Sequence, residues 1–327
     1  MALAHQPRSL SVEIVDLRHF ASADLRPLLE KESQQWLREL SWDYRGSADM
    51  ILRYVDAKIL PGYAAVSRGR VCGYSFFVYE GNKGVVGDLY AEAADTRDPS
   101  TTADLEHRLL THVIETLQNS PGVHRIEAQL LMHLTDSVAP PFVQEGFRRY
   151  RRLFMVMALR GRLAQASVWP PDVEVRRWSE ADFNGAAAAI TAAYRDHVDS
   201  DINDQYRSAN GSLRFLNNIV RFPGCGIFDG DSSFVAVQRP SNNMVGLILC
   251  SRVRDDVGHV TQVCVLPELR GRGIGEALIE AAARELGRRK FDSISLTVTE
   301  ANTRAAELYK RLGFSVRRVF DAFVWEG

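Results

Sequence analysis

The chain has 327 residues, long enough for two domains of ordinary size. Hydrophobic residues make up 46% of it, yet no run approaches the roughly 18 apolar residues that a membrane helix needs. A net charge of −1 and a pI near 6.7 argue against a nucleic-acid protein, whose binding rests on clustered Lys and Arg set against phosphates.

The first residues, Met1-Ala2-Leu3-Ala4-His5-Gln6-Pro7, lack the basic start and apolar stretch of a signal peptide, so a cytoplasmic protein with no membrane partner is expected. A strand is predicted over 12–15 and a helix over 24–40, with apolar strands over 62–67, 71–79 and 85–90. The one dense basic run holds Arg148, Arg149, Arg151 and Arg152 and reads as a solvated turn entering a strand; a phosphate-binding patch is the competing reading. The pair Gly146-Phe147 and the apolar strand 153–157 close this half.

A boundary is expected at 167–172, where Pro170-Pro171 removes two backbone donors and forbids a central strand. The division predicted is 1–168 and 169–327. Beyond the boundary the same order returns: a strand over 173–176, a helical stretch over 180–197, apolar strands over 233–238 and 245–253, then strand, helix and strand, and the pair Gly313-Phe314 before a last strand over 319–325. Strands alternating with helices imply a mixed α/β (α+β) sheet, and the repeated order implies a duplication. The cysteines Cys72, Cys225, Cys250 and Cys264 form no C-x-x-C pair and no zinc-spaced cluster, so neither a disulfide framework nor a metal is expected.

The informative stretch of the second half is 260–275. Val260, Val263 and Val265 favour a strand, which Pro267 ends. Ile274, Ala277, Leu278, Ala281, Ala282 and Leu286 then recur at helical spacing. Gly271, Gly273 and Gly275 therefore sit between a strand and a helix N-terminus, where unpaired N–H groups and the macrodipole favour an anion. Without a Cβ, the glycines let a phosphate approach the backbone, and Arg270 and Arg272 could add charge-assisted bonds. The dinucleotide pattern fails, because Glu276 stands where its third glycine belongs, and the Gly-Lys-Ser/Thr end of a P-loop is absent. Downstream, 294–299 alternates as a strand; Asn302 suits a helix N-cap, Gly313 a helix stop, and Ala305, Leu308, Tyr309 and Leu312 share one helical face.

The R-x-x-G-x-G run after V-x-V-x-P resembles motif A of the GNAT acetyltransferases, and N-x-x-A-x-x-L-Y-x-x-x-G-F resembles the region that follows it. The resemblance implies two tandem GNAT-like domains and acetyl-CoA as co-substrate. It implies that Arg270, Gly271, Arg272, Gly273, Ile274 and Gly275 hold the pyrophosphate, that the backbone of Val263, Cys264 and Val265 runs along the pantetheine beside a β-bulge, and that Asn302 contacts the pantetheine arm. Tyr309 would protonate the departing thiolate as general acid, a role open to a phenol of pKa near 10. The acetyl group would pass directly to a primary amine of a small molecule, peptide or protein, without a covalent step on Cys264.

The general base is less legible. Where some relatives carry a carboxylate stand Thr261 and Gln262; His259 is a weak candidate, with Asp255 and Asp256 nearby, against its reading as a surface residue entering a strand. In the polar run 197–206, Asp201, Asp204 and Tyr206 are acceptor-pocket candidates, against a capped interhelical loop. The first half departs further: 94–100 has no glycine and two acids, and counting back from the Gly-Phe pairs matches Tyr309 with Phe142 and Asn302 with Thr135. That half is expected to keep the fold but not the cofactor, giving a monomer of pseudo-dimeric halves, or a homodimer. A non-catalytic acyl-CoA sensor and a protein-interaction platform remain as alternatives.

Overall fold

A computed structural model describes residues 12–92, 100–161, 169–222 and 224–327. They divide into two compact units, the first formed by 12–34, 48–149 and 323–327, the second by 35–47 and 150–322. Residues 167 and 168 of the expected boundary, and 94–99 of the acidic segment, lie outside the described residues.

The first unit holds β1 (Glu13–Asp16), most of α1 (Ser22–Leu40) and α2 (Arg45–Asp56), then β2 (Gly62–Ser67), β3 (Arg70–Glu80), β4 (Lys83–Ala91), α3 (Ser100–Gln118), β5 (Arg125–Gln129) and α4 (Ala139–Gln144). The strands pair antiparallel from β1 to β4, and β4 pairs parallel with β5. Leu105, Leu109, Val113, Ile114 and Leu117 recur at helical spacing and are buried on the inner side of α3, joining Phe77, Val86 and Leu89 of the sheet in one core. Each such side chain contributes about 1.5–3 kcal/mol on leaving water.

The second unit holds most of β6 (Arg148–Ala158), then β7 (Val173–Arg177), α5 (Phe183–Ala193), α6 (Val198–Ile202), α7 (Ala209–Arg221), β8 (Ile227–Phe228), β9 (Phe234–Gln238), β10 (Asn243–Arg254), β11 (Val257–Val265), α8 (Ile274–Arg288), β12 (Ser293–Thr299), α9 (Thr303–Arg311) and most of β13 (Ser315–Glu326). Its strand order is β7-β9-β10-β11-β12-β6-β13. Here α8 lays Ile274, Leu278, Ala282 and Leu286 on the sheet, and α5 covers the opposite face with Ala186, Ala189, Ile190 and Ala193. The mixed α/β architecture expected from the element order is present in both units.

The duplication reaches the side chains. A Cβ on Gly84 of β4 would lie 2.5 Å from Leu117 of the following helix, and one on Gly258 of β11 would lie 2.7 Å from Leu286 of its following helix. The same helix-on-strand approach requires the same residue in each copy. The closing strands depart from the sequence reading, which kept each in its own half. The strand 153–157 falls within β6 and pairs antiparallel with β12 from Arg152↔Thr299 to Ala158↔Ser293, its Leu153, Met155 and Met157 entering the core of the second unit. Conversely, Phe323 belongs to the core of the first unit and stacks on Phe142 at 4.2 Å. Alternation specifies which face of a strand is buried and leaves its neighbour open.

Candidate functional site

The site of the second unit begins where two parallel strands part. β11 and β12 are paired only from Val257↔Ser293 to Val260↔Leu296, although β11 runs on to Val265 and β12 to Thr299. The cause lies one residue further along. Thr261 is extra in the ladder with β10, where Leu249 faces Gln262 but Cys250 faces Val260, and such a bulge bends its strand. Beyond it, Val263 and Val265 join the α8-side core while Cys264 joins the α5-side core. The bulge expected near Val263 is thus at Thr261, and it leaves a fork between the strand ends.

At one end of the fork stands the glycine loop. Gly271 and Gly273 have φ of +83° and +81°, left-handed conformations that glycine adopts freely, and Gly273 is the N-cap of α8 with no side chain bonded there. A Cβ on Gly273 would meet nothing within 4 Å, whereas one on Gly271 would crowd Arg304 at 3.3 Å and one on Gly275 would touch Val265 at 3.6 Å. Ile274 anchors the first turn in the core. The two arginines are engaged: Arg270 donates to the carbonyls of Ala193 and Val265, tying the loop to the end of α5, and Arg272 is paired with Asp172 at 2.5 Å.

At the other end, Asn302 caps α9 by accepting from Ala305 N–H at 3.3 Å. Tyr309, one face further along, is buried and lies beside Phe314, with ring centroids 5.9 Å apart. Burial, then the Asp199 carboxylate, raises its phenol well above 10, and its hydroxyl has no hydrogen-bond partner among the described residues. Burial also pushes the Cys264 thiol up to about 12, so that it stays protonated at neutral pH and is no nucleophile.

The α5 side supplies residues that the sequence reading passed over. Tyr194 donates to Gln262 Oε1 at 2.8 Å and to the Val263 carbonyl at 3.3 Å. His197 stands at the N-cap position of α6 and places Nε2 3.3 Å from Asn302 Nδ2. Asp199 accepts from Arg152 at 3.1 Å and from the Thr299 hydroxyl at the end of β12. Of the acceptor-pocket candidates, Tyr206 joins this group by stacking on Tyr194 at 4.5 Å; Asp201 turns to Arg207 at 3.8 Å, and Asp204 opens a 3-10 turn. Asp199 rather than Asp201 thus faces the fork. Its signal was faint: one acid among three in a polar run. His259, the weak base candidate, is elsewhere. It bonds Ser295 at 2.9 Å, packs between the rings of Trp42 and Phe154, and burial lowers it to about 4. At ~3.3 Å per strand residue it lies about 16 Å along β11 from Cys264. It is a neutral core histidine, not a surface residue, and the structure does not bring it together with Tyr309.

The first unit has the matching fork and fills it. β4 and β5 pair from Lys83↔Arg125 to Val86↔Ala128, with Gly87 as the extra residue of the ladder. There His133 Nε2 lies 2.9 Å from the Leu89 carbonyl, and Phe142 is fully buried between Phe147 and Phe323.

Among the described residues no group of three or more His, Cys, Asp or Glu is arranged to hold a metal, and no helix is long and apolar enough to cross a membrane. A family model described as Acetyltransferase (GNAT) family matches residues 196–314. The GCN5-like protein acetyltransferase of Mycobacterium tuberculosis is 40% identical over 155 residues, which are 46% of this chain and cover 70% of that protein. The mycothiol acetyltransferase of Salinispora arenicola is 30% identical over 189 residues, 55% of this chain and 56% of that protein. The chain spans from 20% to 59% of the length of the mycothiol acetyltransferases it matches. Two solved structures follow nearly the whole chain. A GCN5-related N-acetyltransferase from Sphaerobacter thermophilus has a TM-score of 0.68 at 18% identity, covering 96% of this chain and 95% of its own. A tandem GNAT protein from the clavulanic acid biosynthesis pathway has a TM-score of 0.59 at 14% identity, covering 97% and 98%.

Proposed function

The chain belongs to the GNAT acetyltransferase family, and from that membership we propose that its second unit moves an acetyl group from acetyl-CoA directly to a primary amine of a small molecule, peptide or protein. The observation that carries the reading is the fork: β11 and β12 part between an α8 N-terminus that no side chain caps and the Asn302 cap of α9. The pyrophosphate would meet the open N–H groups of 271–275 and the helix dipole, with Arg270 and Arg272 beside it. The thioester arm would follow the edge of Val263–Val265 past Asn302.

The chemistry needs a group that yields a proton to the leaving sulfur. Tyr309 is protonated at any physiological pH and its hydroxyl is free to donate. As the nitrogen–carbon bond forms at the acetyl carbonyl and the carbon–sulfur bond breaks, its proton goes to the thiolate. In the first unit, Phe142 supplies no proton and His133 occupies the carbonyl that corresponds to that of Val263, so we propose that this copy keeps the fold and does not bind the cofactor. A non-catalytic acyl-CoA sensor is the second reading. Gln262, which cannot take up a proton, favours it, and turnover with any amine excludes it.

Calorimetric titration of the full chain with acetyl-CoA tests both statements, followed by a screen of amino sugars and free-amino peptides for thiol release. One molecule bound per chain and turnover with an amine support them. Two bound would overturn the silent first unit, and none would overturn the acetyl-CoA reading altogether.

A further inference from the structure

We propose that His197 is the general base of this site, taking the proton of the acceptor amine at the mouth of the fork. The inference rests on the acetyl-transfer reading and adds the one role that reading leaves without a residue. An amine attacks only after its ammonium proton is gone, so some group near the fork must accept it.

Few groups there can. Tyr194, Tyr206 and Tyr309 are raised by burial and hold their protons, as does the thiol of Cys264. The guanidinium groups of Arg152 and Arg270 offer donors and no acceptor. Gln262, on β11 where a carboxylate would serve, is an amide. Asp199 has Oδ1 committed to both Arg152 and Thr299, and its Oδ2 faces His197 Nδ1 at 3.6 Å. Asp201 is turned to Arg207. His197 remains.

Its position spans the fork. Its ring lies 5.2 Å from that of Tyr194, which is bonded to Val263 on β11, and its Nε2 meets Asn302 at the start of α9. The two ring nitrogens face two donors. Asp199 N–H is 3.1 Å from Nδ1, and the Asn302 edge turned to Nε2 is its NH2, since Asn302 Oδ1 is held by Ala305. A neutral imidazole accepts at one nitrogen only. With the ring proton on Nδ1, toward Asp199 Oδ2 at 3.6 Å, the lone pair of Nε2 is the one that meets the Asn302 NH2. This arrangement therefore disfavours the imidazolium, as do burial, the largest effect, and the Arg270 charge; Asp199 and Asp201 oppose them, and the net shift is downward from 6.5. A neutral imidazole at pH 7 is the form a base requires. In the step, the ammonium proton passes to His197 Nε2, displacing the Asn302 NH2, and the freed nitrogen then bonds to the acetyl carbon. The Tyr309 proton goes to sulfur as the carbon–sulfur bond breaks, and the second proton of the nitrogen returns to the phenolate.

The test uses the full chain and His197→Asn. Asn is a good N-cap that can accept the Asp199 N–H, so α6 keeps its start. With the amine found in the screen above, kcat should fall about 10²- to 10⁴-fold, while acetyl-CoA affinity by calorimetry changes less than about threefold. The wild-type acid limb of kcat/KM, rising with pH to a midpoint below 6.5, should vanish. In histidine-labelled wild type, the His197 imidazole resonance should titrate below pH 6.5 and move when acetyl-CoA is added. Undiminished turnover in the variant, an unchanged acid limb, a His197 pKa above 7, or a resonance that ignores bound acetyl-CoA would each overturn the assignment. Failure of the wild type to bind acetyl-CoA would instead remove the reading beneath it.

Discussion

Tyr194 and Val263 share one acceptor: Gln262 Oε1 takes the tyrosine hydroxyl at 2.8 Å and the valine N–H at 2.9 Å. Because a backbone N–H can only donate, the amide is fixed with its oxygen toward the Val263 N–H, and its NH2 is left buried and without a partner among the described residues. The bulged end of β11 is thus held by side chains where its parallel neighbour has left. Tyr194→Phe removes the hydroxyl but not the ring that Tyr206 stacks on. It should cost about 1 kcal/mol, the net worth of a buried neutral hydrogen bond, read as a lower urea midpoint at unchanged slope. An unchanged midpoint would mean that this bond does not hold the strand end.

Tyr309→Phe separates the two uses of that residue. The ring fills the core beside Phe314 and stays, while the hydroxyl bonds nothing among the described residues, so stability should hold within about 0.5 kcal/mol. Turnover should drop roughly 10²-fold or more at constant acetyl-CoA affinity. Since the phenol is raised above 10, wild-type kcat should show no falling limb from Tyr309 up to pH 10. Equal turnover in the two proteins would remove Tyr309 as the acid.

The glycine loop, the Asn302 cap and the Gly313 stop were legible because backbone geometry admits few residues there: Gly273 at +81° and Gly313 at +97° both have left-handed φ. That 153–157 would join the second unit and Phe323 the core of the first was not, since 153–157 and 319–325 are both apolar and both follow a Gly-Phe pair. Nor was the choice of Asp199 over Asp201. The two are two residues apart in a helix of five, and it is the bonds of Asp199 to Thr299 and Arg152, against the turn of Asp201 to Arg207, that distinguish them. His259 read as a strand-entry residue because its neighbours Asp255 and Asp256 are polar; the aromatic rings that bury it come from Trp42 and Phe154, more than a hundred residues away in sequence.

Gly273→Glu tests the anion site itself. A side chain at +81° costs about 1 kcal/mol in backbone strain, and with no atom within 4 Å of its Cβ there is no clash to add. The carboxylate would stand at the helix N-terminus and compete with a phosphate there. Acetyl-CoA affinity should fall at least tenfold while the fold persists by circular dichroism. Undiminished binding would place the pyrophosphate elsewhere.

His259 makes acid stability a readout of burial. Its pKa drops from 6.5 in the unfolded chain to about 4 in the fold, and burial is the cause. Above pH 6.5 both states hold it neutral and stability is full. As pH falls below 6.5, the unfolded chain takes up a proton that the folded chain refuses until about pH 4, so stability declines over that window. At about 1.4 kcal/mol per pH unit, the loss approaches about 3 kcal/mol. His259→Gln can keep the bond to Ser295 and removes the titration. Unfolding free energies of the two proteins between pH 7 and 4 should diverge by about that amount, with the variant losing less. Parallel curves would mean that His259 is reached by solvent and protonates in the fold.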